Sequence, residues 1–123
     1  MILFVDVNDV CRAPLAAALY RRIHGAQAHS AGVYTDEGAC LCDAVRPALL
    51  DGHTARQLSR SMLEKADEVW CVTAAIARRL TEDSPQFAHK IHAMQEVPDP
   101  TGMGRKAYEA CEQQLRAQVE GMA

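Results

Sequence analysis

The sequence lacks an apolar run long enough to cross a bilayer, and it lacks an excess of positive charge. Its 13 Lys and Arg residues are outnumbered by 16 Asp and Glu residues, for a formal net charge of −3. General nucleic-acid binding needs a basic surface, which this balance does not supply. The apolar start from Met1 to Val5 has no basic leader and meets Asp6 at once, unlike a signal peptide. We therefore expect a cytoplasmic protein whose partners include neither a membrane nor a nucleic acid.

The number and spacing of the cysteines and histidines indicate neither a disulfide framework nor a metal centre. The cysteine count of 5 is odd, and without a secretion signal free thiols are the simpler interpretation. Cys40 and Cys42 lie too close together for the usual zinc pair. The 5 histidines show no ligand spacing, so solvated or capping roles are expected for them. The sequence therefore predicts no metal and no cofactor.

What the sequence does have is the composition and alternating pattern of one α/β domain spanning residues 1–123. Of its residues, 49% are hydrophobic and 24% are charged, which is ordinary globular composition. Apolar runs at Ile2 to Val5 and Glu68 to Val72 are typical of strands buried on both faces. Such an alternation predicts a four-stranded parallel sheet with helices on both faces. Two weaker strands are expected at Ala26 to Ala31 and Lys90 to Met94. The first helix is expected from Pro14 to Gly25 and the last from Arg105. Three helices between them are expected to begin at the capping residues Asp43, Ser59 and Thr73.

The segment from Asp6 to Arg12, called the anion loop below, is the first place to look for chemistry. Parallel sheets bind ligands at the carboxyl ends of their strands, and this loop joins the first strand to a helix N-terminus. Loop amides and the helix dipole favour an anion there. Arg12 opposes that dipole, so its position needs a reason, and its planar guanidinium suits a phosphate. We therefore expect inorganic phosphate or a similar anion in this loop, and a second functional loop near Asp99.

A resemblance to a known family rests on five segments in order, which are Val10 to Ala16, His29 to Gly32, His53 to Leu58, Ala66 to Thr73, and Val97 to Pro100 followed by Gly102. Together they resemble the low-molecular-weight protein tyrosine phosphatases. The resemblance implies that the anion loop begins with a catalytic cysteine in that family and ends with the arginine that holds the phosphate oxygens. It implies a general acid at Asp99, no metal, and a phosphorylated protein or small aryl phosphate as substrate.

The nucleophile position of that family is occupied here by Asp6. A carboxylate is a weak nucleophile toward a phosphate dianion, and it repels the substrate. Loss of a covalent nucleophile costs on the order of a million-fold in rate, or ~8 kcal/mol. The sequence therefore predicts an inactive or strongly impaired phosphatase with Asp6, Arg12 and Asp99 at the catalytic positions.

Other loop positions also depart from the family. Asn8 stands at the family's glycine and is expected to adopt a left-handed backbone. Asp9 stands at a structural asparagine and is expected to bond to Ser30. Ala13 replaces the hydroxyl residue that eases departure of the thiolate. Val10 resembles the phosphotyrosine type of loop more than the phosphoarginine type, which carries threonine there.

The remaining candidate residues surround that loop. Val7 completes it, and Cys11 is expected only to pack. Tyr34 is either a wall of the substrate site or an exposed loop aromatic. Asp99 is either the general acid or a turn residue of the Asp-Pro type.

Three other functions stay open. The first is a pseudophosphatase that binds a phosphorylated partner without turnover. The second is a magnesium-dependent enzyme in which Asp6 forms an acyl phosphate, although the second aspartate that such enzymes need is Asn8. The third is an arsenate reductase, which would need a cysteine relay. Cys71 lies mid-strand and Cys111 lies on an apolar helix stripe, so neither position favours that relay.

Overall fold

Four parallel strands form the centre of the protein in a computed structural model that describes residues 1–36, 48–50 and 52–122. The sheet order is β2-β1-β3-β4, and every neighbouring pair is parallel. β1 is buried along its whole length, as its continuous apolar run predicts. The predicted sheet is confirmed, with bounds β1 Ile2–Asp6, β2 Ala28–Gly32, β3 Glu68–Cys71 and β4 Ile91–Ala93.

The helices begin at the caps that the sequence predicts. The Ser59 hydroxyl accepts a hydrogen bond from the Met62 amide at 3.3 Å, and that of Thr73 accepts one from the Ile76 amide at 3.2 Å. Gly25 ends the first helix in a left-handed conformation, with φ of 63°. The helices are α1 Arg12–His24, α2 Arg60–Lys65, α3 Ala74–Asp83 and α4 Arg105–Glu120, with short 3₁₀ helices at Ala48–Leu50 and Pro85–Lys90.

The helices lie on both faces of the sheet. The chain moves from β1 to β2 in one direction and from β2 to β3 in the other, so right-handed crossovers put their helices on opposite faces. Accordingly α1 packs against β1, β2 and α4, whereas α3 packs against β3 and β4. No helix within the described ranges is both long and apolar enough to cross a membrane.

Several element boundaries differ from the sequence prediction by one or two residues, and one predicted cap lies outside the described residues. The second strand starts at Ala28 rather than Ala26. Lys90 ends a 3₁₀ helix instead of starting β4, and its ammonium group donates a hydrogen bond to the Ala66 carbonyl at 2.7 Å. The expected cap at Asp43 lies in the range that is not described.

Two glutamines of α4 fix the chain that follows β4. The Gln118 side chain accepts a hydrogen bond from the Gln95 amide at 2.8 Å and donates one to the Gln95 carbonyl at 3.1 Å. Gln114 donates to the Glu96 carbonyl at 3.0 Å. This glutamine clamp therefore holds the segment that leads to Asp99 against α4.

Gly32, the last residue of β2, lets the anion loop approach the sheet. A Cβ atom there would lie 2.8 Å from the Val7 carbonyl oxygen, the Asn8 carbonyl carbon and the Asp9 amide nitrogen. Those atoms are backbone, so a side chain at this position displaces the loop itself.

We therefore expect Gly32→Ala to lower the free energy of unfolding by about 1–3 kcal/mol, the usual cost of overpacking. Urea denaturation measures it. Gly121→Ala is the matched control, because Gly121 has a φ of −78° and a Cβ there meets nothing nearer than 3.5 Å. Equal stability of the two variants would contradict the close approach at Gly32.

Candidate anion-binding site

The anion loop holds the buried charges of the described residues. Asp6, Asp9 and Arg12 are exposed by only 1%, 0% and 6%. Buried charges are costly unless hydrogen bonds or opposite charges compensate them. The partners of these three groups therefore define what the loop can do.

The Asp6 carboxylate accepts one amide of the loop and one amide of α1. Its Oδ1 accepts a hydrogen bond from the Asp9 amide at 2.6 Å, and its Oδ2 accepts one from the Ala13 amide at 2.9 Å. Ala13 lies in the first turn of α1, where the helix dipole favours negative charge. An anion thus occupies the helix N-terminus, and it is the protein's own carboxylate.

Burial raises the pKa of Asp6 from 3.8 to about 6. The two amide hydrogen bonds and the charge of Arg12 lower it, whereas the neighbouring Asp9 raises it. A carboxyl group with a raised pKa in the folded state stabilises the fold most at low pH. The stability that Asp6 contributes is therefore complete below pH 3.8 and is lost as the pH rises through about 6.

Asp9 has a left-handed backbone conformation within the loop, with φ of 56°. The expectation that Asn8 adopts this conformation is wrong, because Asp9 is the described non-glycine residue with positive φ. Oδ2 of Asp9 accepts a hydrogen bond from the Arg56 amide at 2.8 Å, and Oδ1 has no partner. Burial raises the pKa of Asp9, whereas the nearby Ser30 hydroxyl and the Arg56 amide oppose that rise.

His53 also braces the loop, a role that the sequence did not predict. Its Nε2 lies 2.7 Å from the Asp9 carbonyl oxygen and 3.7 Å from the Asp9 carboxylate. The expectation of a merely solvated or capping histidine is wrong here, since the ring joins two segments 44 residues apart. Such a contact leaves no local signal in the sequence.

The chain after β2 pairs with the outer side of the anion loop. The Tyr34 amide donates to the Val7 carbonyl at 2.8 Å, and the Thr35 hydroxyl donates to the Asn8 carbonyl. The Tyr34 side chain is 83% exposed and that of Val7 is 43% exposed. Two exposed apolar side chains therefore stand at the rim of the loop.

Arg12 begins α1, as expected, but it does not pair with Asp6. Its Nη1 donates to the Val97 carbonyl at 3.0 Å, and the described residues include no ion pair between Arg12 and Asp6. The guanidinium thus links the anion loop to the segment that carries Asp99.

Asp99 is exposed and bonded to its own turn. Its Oδ1 accepts hydrogen bonds from the Thr101 amide at 3.0 Å and from the Thr101 hydroxyl at 2.7 Å. Burial raises its pKa, but these bonds and the charge of Arg12 outweigh burial and lower it. The contacts are those of the turn residue that the sequence left open as the alternative to a general acid.

Two further side chains next to the loop and its partner segment are buried. Cys11, 2% exposed, packs in the hydrophobic core, and Tyr108 of α4 is 6% exposed in the same core. In the described part of the chain, no three His, Cys, Asp or Glu side chains are grouped to hold a metal ion.

Comparison with known proteins places this geometry in a family. The model of the low molecular weight phosphotyrosine protein phosphatases matches residues 1–123. The low molecular weight protein-tyrosine-phosphatase Wzb of Escherichia coli (strain K12) is 30% identical over 89% of this chain and 83% of its own length. A protein-arginine-phosphatase of Geobacillus stearothermophilus is 26% identical over 99% of this chain and 93% of its own.

A solved structure shows the same fold. The tyrosine phosphatase Wzb from Escherichia coli K30, in complex with phosphate, superposes with a TM-score of 0.85. It is 22% identical, and the match covers 97% of this chain and 92% of that one. On the family match over its whole length, this chain belongs to the low molecular weight phosphotyrosine protein phosphatase family.

Proposed function

We propose that this chain binds a phosphate-like anion in its anion loop and hydrolyses phosphomonoesters weakly or not at all, because Asp6 stands at the nucleophile position. The observation that carries the proposal is the buried Asp6 carboxylate, of which each oxygen accepts a loop or helix amide. Its substrate or ligand class is a phosphorylated protein or a small aryl phosphate.

The contacts of Asp6 oppose nucleophilic attack. The amide hydrogen bonds to both oxygens withdraw electron density from the carboxylate and weaken it further as a nucleophile. An ionised carboxylate also repels an incoming phosphate by about 4 kcal/mol per charge pair at ~4 Å and an effective dielectric constant of about 20. With Asp6 ionised, the loop therefore repels an external phosphate.

Protonation of Asp6 removes that charge and opens the loop to an external anion. The pKa of about 6 puts this change within a mildly acidic range. Arg12 uses one nitrogen for Val97, and its guanidinium has five N–H donors in all, so donors remain for an oxyanion. In our proposal Arg12 holds the anion beside the amides of the loop from Val7 to Cys11.

A pure binding role rests on a separate observation. Asp99 has a lowered pKa and both of its hydrogen bonds go to Thr101, whereas a general acid has to carry a proton when the substrate binds. If the acid is also lost, the chain is a pseudophosphatase that recognises a phosphorylated partner without turnover.

Restoring the thiol separates these functions. We expect Asp6→Cys to hydrolyse p-nitrophenyl phosphate on the order of a thousandfold or more faster than the native chain. This gain is smaller than the roughly million-fold contribution of a covalent nucleophile, because Ala13 has no hydroxyl to assist departure of the thiolate. Steady-state kinetics with and without magnesium measures it.

Asp6→Ser is the matched control for that experiment, because it removes the carboxylate without adding a thiolate. It should stay near the rate of the native chain. Magnesium-dependent hydrolysis by the native chain would instead favour an aspartyl-phosphate mechanism. If Asp6→Cys does not hydrolyse p-nitrophenyl phosphate but still binds sulfate, the result would favour the pseudophosphatase.

Anion binding should depend on the protonation of Asp6. Sulfate is the suitable probe because its charge is constant across the range. With a pKa of about 6, lowering the pH from 8 to 5 should tighten sulfate binding by on the order of 10- to 100-fold, as measured by titration calorimetry.

The isosteric variant Asp6→Asn is the control for this pH dependence. It keeps every other ionisable group of the protein, so its sulfate affinity should vary much less with pH. The same pH dependence in both proteins would assign the effect to those other groups.

The loop residue Val10 bears on substrate choice. Val10 is partly buried against the core, and we propose that it favours phosphotyrosine over phosphoarginine. In an Asp6→Ser background, where binding is read without turnover, a phosphotyrosine peptide should bind more tightly than a phosphoarginine peptide. Adding Val10→Thr should narrow the difference, and an unchanged preference would argue against this role.

A further inference from the structure

A hollow beside β2 lies outside the anion loop. Its volume is about 350 Å³, and it is lined by residues of α1, of β2, of the 3₁₀ helix Ala48–Leu50 and of the range 52–56. We call it the edge pocket, because β2 is an outer strand of the sheet. Neither Asp6 nor Arg12 is among its described lining residues. The side chains that decide its chemistry are Pro14, Ala17, Arg21, His29, Leu49 and Arg56.

The edge pocket carries positive charge in a chain that is negative overall. Two exposed arginines line it, Arg21 on α1 and Arg56 beyond β2. No Asp or Glu of the described residues does so, and the described ion pairs include neither arginine. The formal charge of the whole chain is −3, so this cluster of cations stands out against its surroundings. Both guanidinium groups are therefore available to an anion from solvent.

The Arg21 guanidinium is held in place at the pocket. Its Nη1 donates a hydrogen bond at 2.7 Å to the carbonyl oxygen of Ala28, which also lines the pocket. A guanidinium has five N–H donors, so others remain for a ligand. A side chain that is already fixed loses less conformational freedom when a ligand binds.

A buried carboxylate next to the pocket offsets only part of this charge. Asp9 accepts the backbone amide of Arg56 at 2.8 Å and lies 3.7 Å from the lining residue His53. Even when ionised, its single negative charge balances one of the two arginines. Burial and the charges of Arg56 and Arg21 lower the pKa of His29, as expected for an imidazole beside cations that are not fully neutralised.

The other walls of the pocket are apolar. Pro14 and Ala17 of α1 form one side, and Leu49 and Leu50 form another. Pockets of roughly 300–1,000 Å³ that combine apolar walls with a few polar groups are typical of sites for small organic ligands. A bare phosphate or sulfate would leave these walls without a contact, whereas a small hydrocarbon body would cover them.

We propose that the edge pocket is a second ligand site of this chain, which takes a small organic dianion. Its two negative groups lie between Arg21 and Arg56, and its hydrocarbon part lies against α1 and the helix Ala48–Leu50. The site uses none of the groups that bind an anion in the anion loop, so it does not depend on the function proposed above.

Phthalate is a suitable probe, because it carries two carboxylates on one small ring. The native chain is titrated with phthalate at pH 8 and low salt, and its backbone amides are followed by ¹H–¹⁵N NMR. At this pH Asp6, with a pKa of about 6, is ionised and the anion loop repels anions. We expect saturable shifts at the amides of Ala17, His29 and Gly52 that exceed those of the loop amides from Val7 to Cys11.

Two further probes separate charge from apolar contact. Benzoate keeps the ring but has one carboxylate, and it should bind about tenfold more weakly than phthalate because one charge-assisted contact is lost. Sulfate keeps two charges but has no ring, and it should also bind about tenfold more weakly at the pocket amides. Equal affinity of phthalate and either probe would contradict the ligand class.

Variants of the two arginines test the contacts themselves. Arg21→Gln and Arg56→Gln should each weaken phthalate binding about tenfold. Arg56→Gln keeps the backbone amide that Asp9 accepts, so it tests the pocket even if Arg21→Gln disturbs the end of α1. Arg22→Gln is the matched control, because Arg22 is the next residue of α1, is exposed, and does not line the pocket. It removes the same charge and should change the affinity by less than about twofold.

Two further results would overturn the proposal. One is the absence of saturable shifts at the pocket amides of the native chain. The other is an equal loss of affinity in Arg22→Gln and in both pocket variants, which would assign binding to the general charge of this face. Sulfate binding by the anion loop at pH 5 is a separate measurement, so its failure would leave these outcomes unchanged.

Discussion

The structure of the site depends on how one buried carboxylate is satisfied. Asp6 ends the central strand at a place where the fold supplies amides and a helix N-terminus for an anion. The amides of Asp9 and Ala13 bind its two oxygens, and this arrangement is what makes burial of the charge tolerable. The left-handed backbone at Asp9 and the contacts from Arg56 and His53 follow from the same need, because they hold the loop in the shape that presents those amides.

This arrangement also explains why an aspartate is accommodated where relatives are expected to have a cysteine. Carboxylate and thiolate are both anions, and the helix dipole favours either one. The carboxylate, however, has two acceptor oxygens, and they take the amides of Asp9 and Ala13. In the function proposed above, the aspartate therefore keeps a negative charge at the helix N-terminus but supplies a bound anion in place of a nucleophile.

Much of the fold could be predicted from local sequence, whereas the finer contacts of the site could not. Apolar runs predicted the strands, the capping residues Ser59 and Thr73 predicted the starts of two helices, and Arg12 marked the start of α1. These predictions were possible because each sequence pattern lies within a few residues of the element that it predicts. The contacts of His53 and Val97 with the loop join segments that are far apart in sequence. The left-handed position at Asp9 rather than Asn8 accompanies the contact of the Asp9 carboxylate with the Arg56 amide, which the sequence does not reveal.

The glutamine clamp of α4 has a consequence for how the site responds to its surroundings. Gln114 and Gln118 hold the backbone at Gln95 and Glu96 with neutral amide groups, which neither gain nor lose protons and are little affected by added salt. The carboxyl groups with raised pKa values, Asp6 and Asp9, lie instead in the loop. Acidification and ionic strength thus change the charge at the centre of the site while its frame keeps the same dimensions.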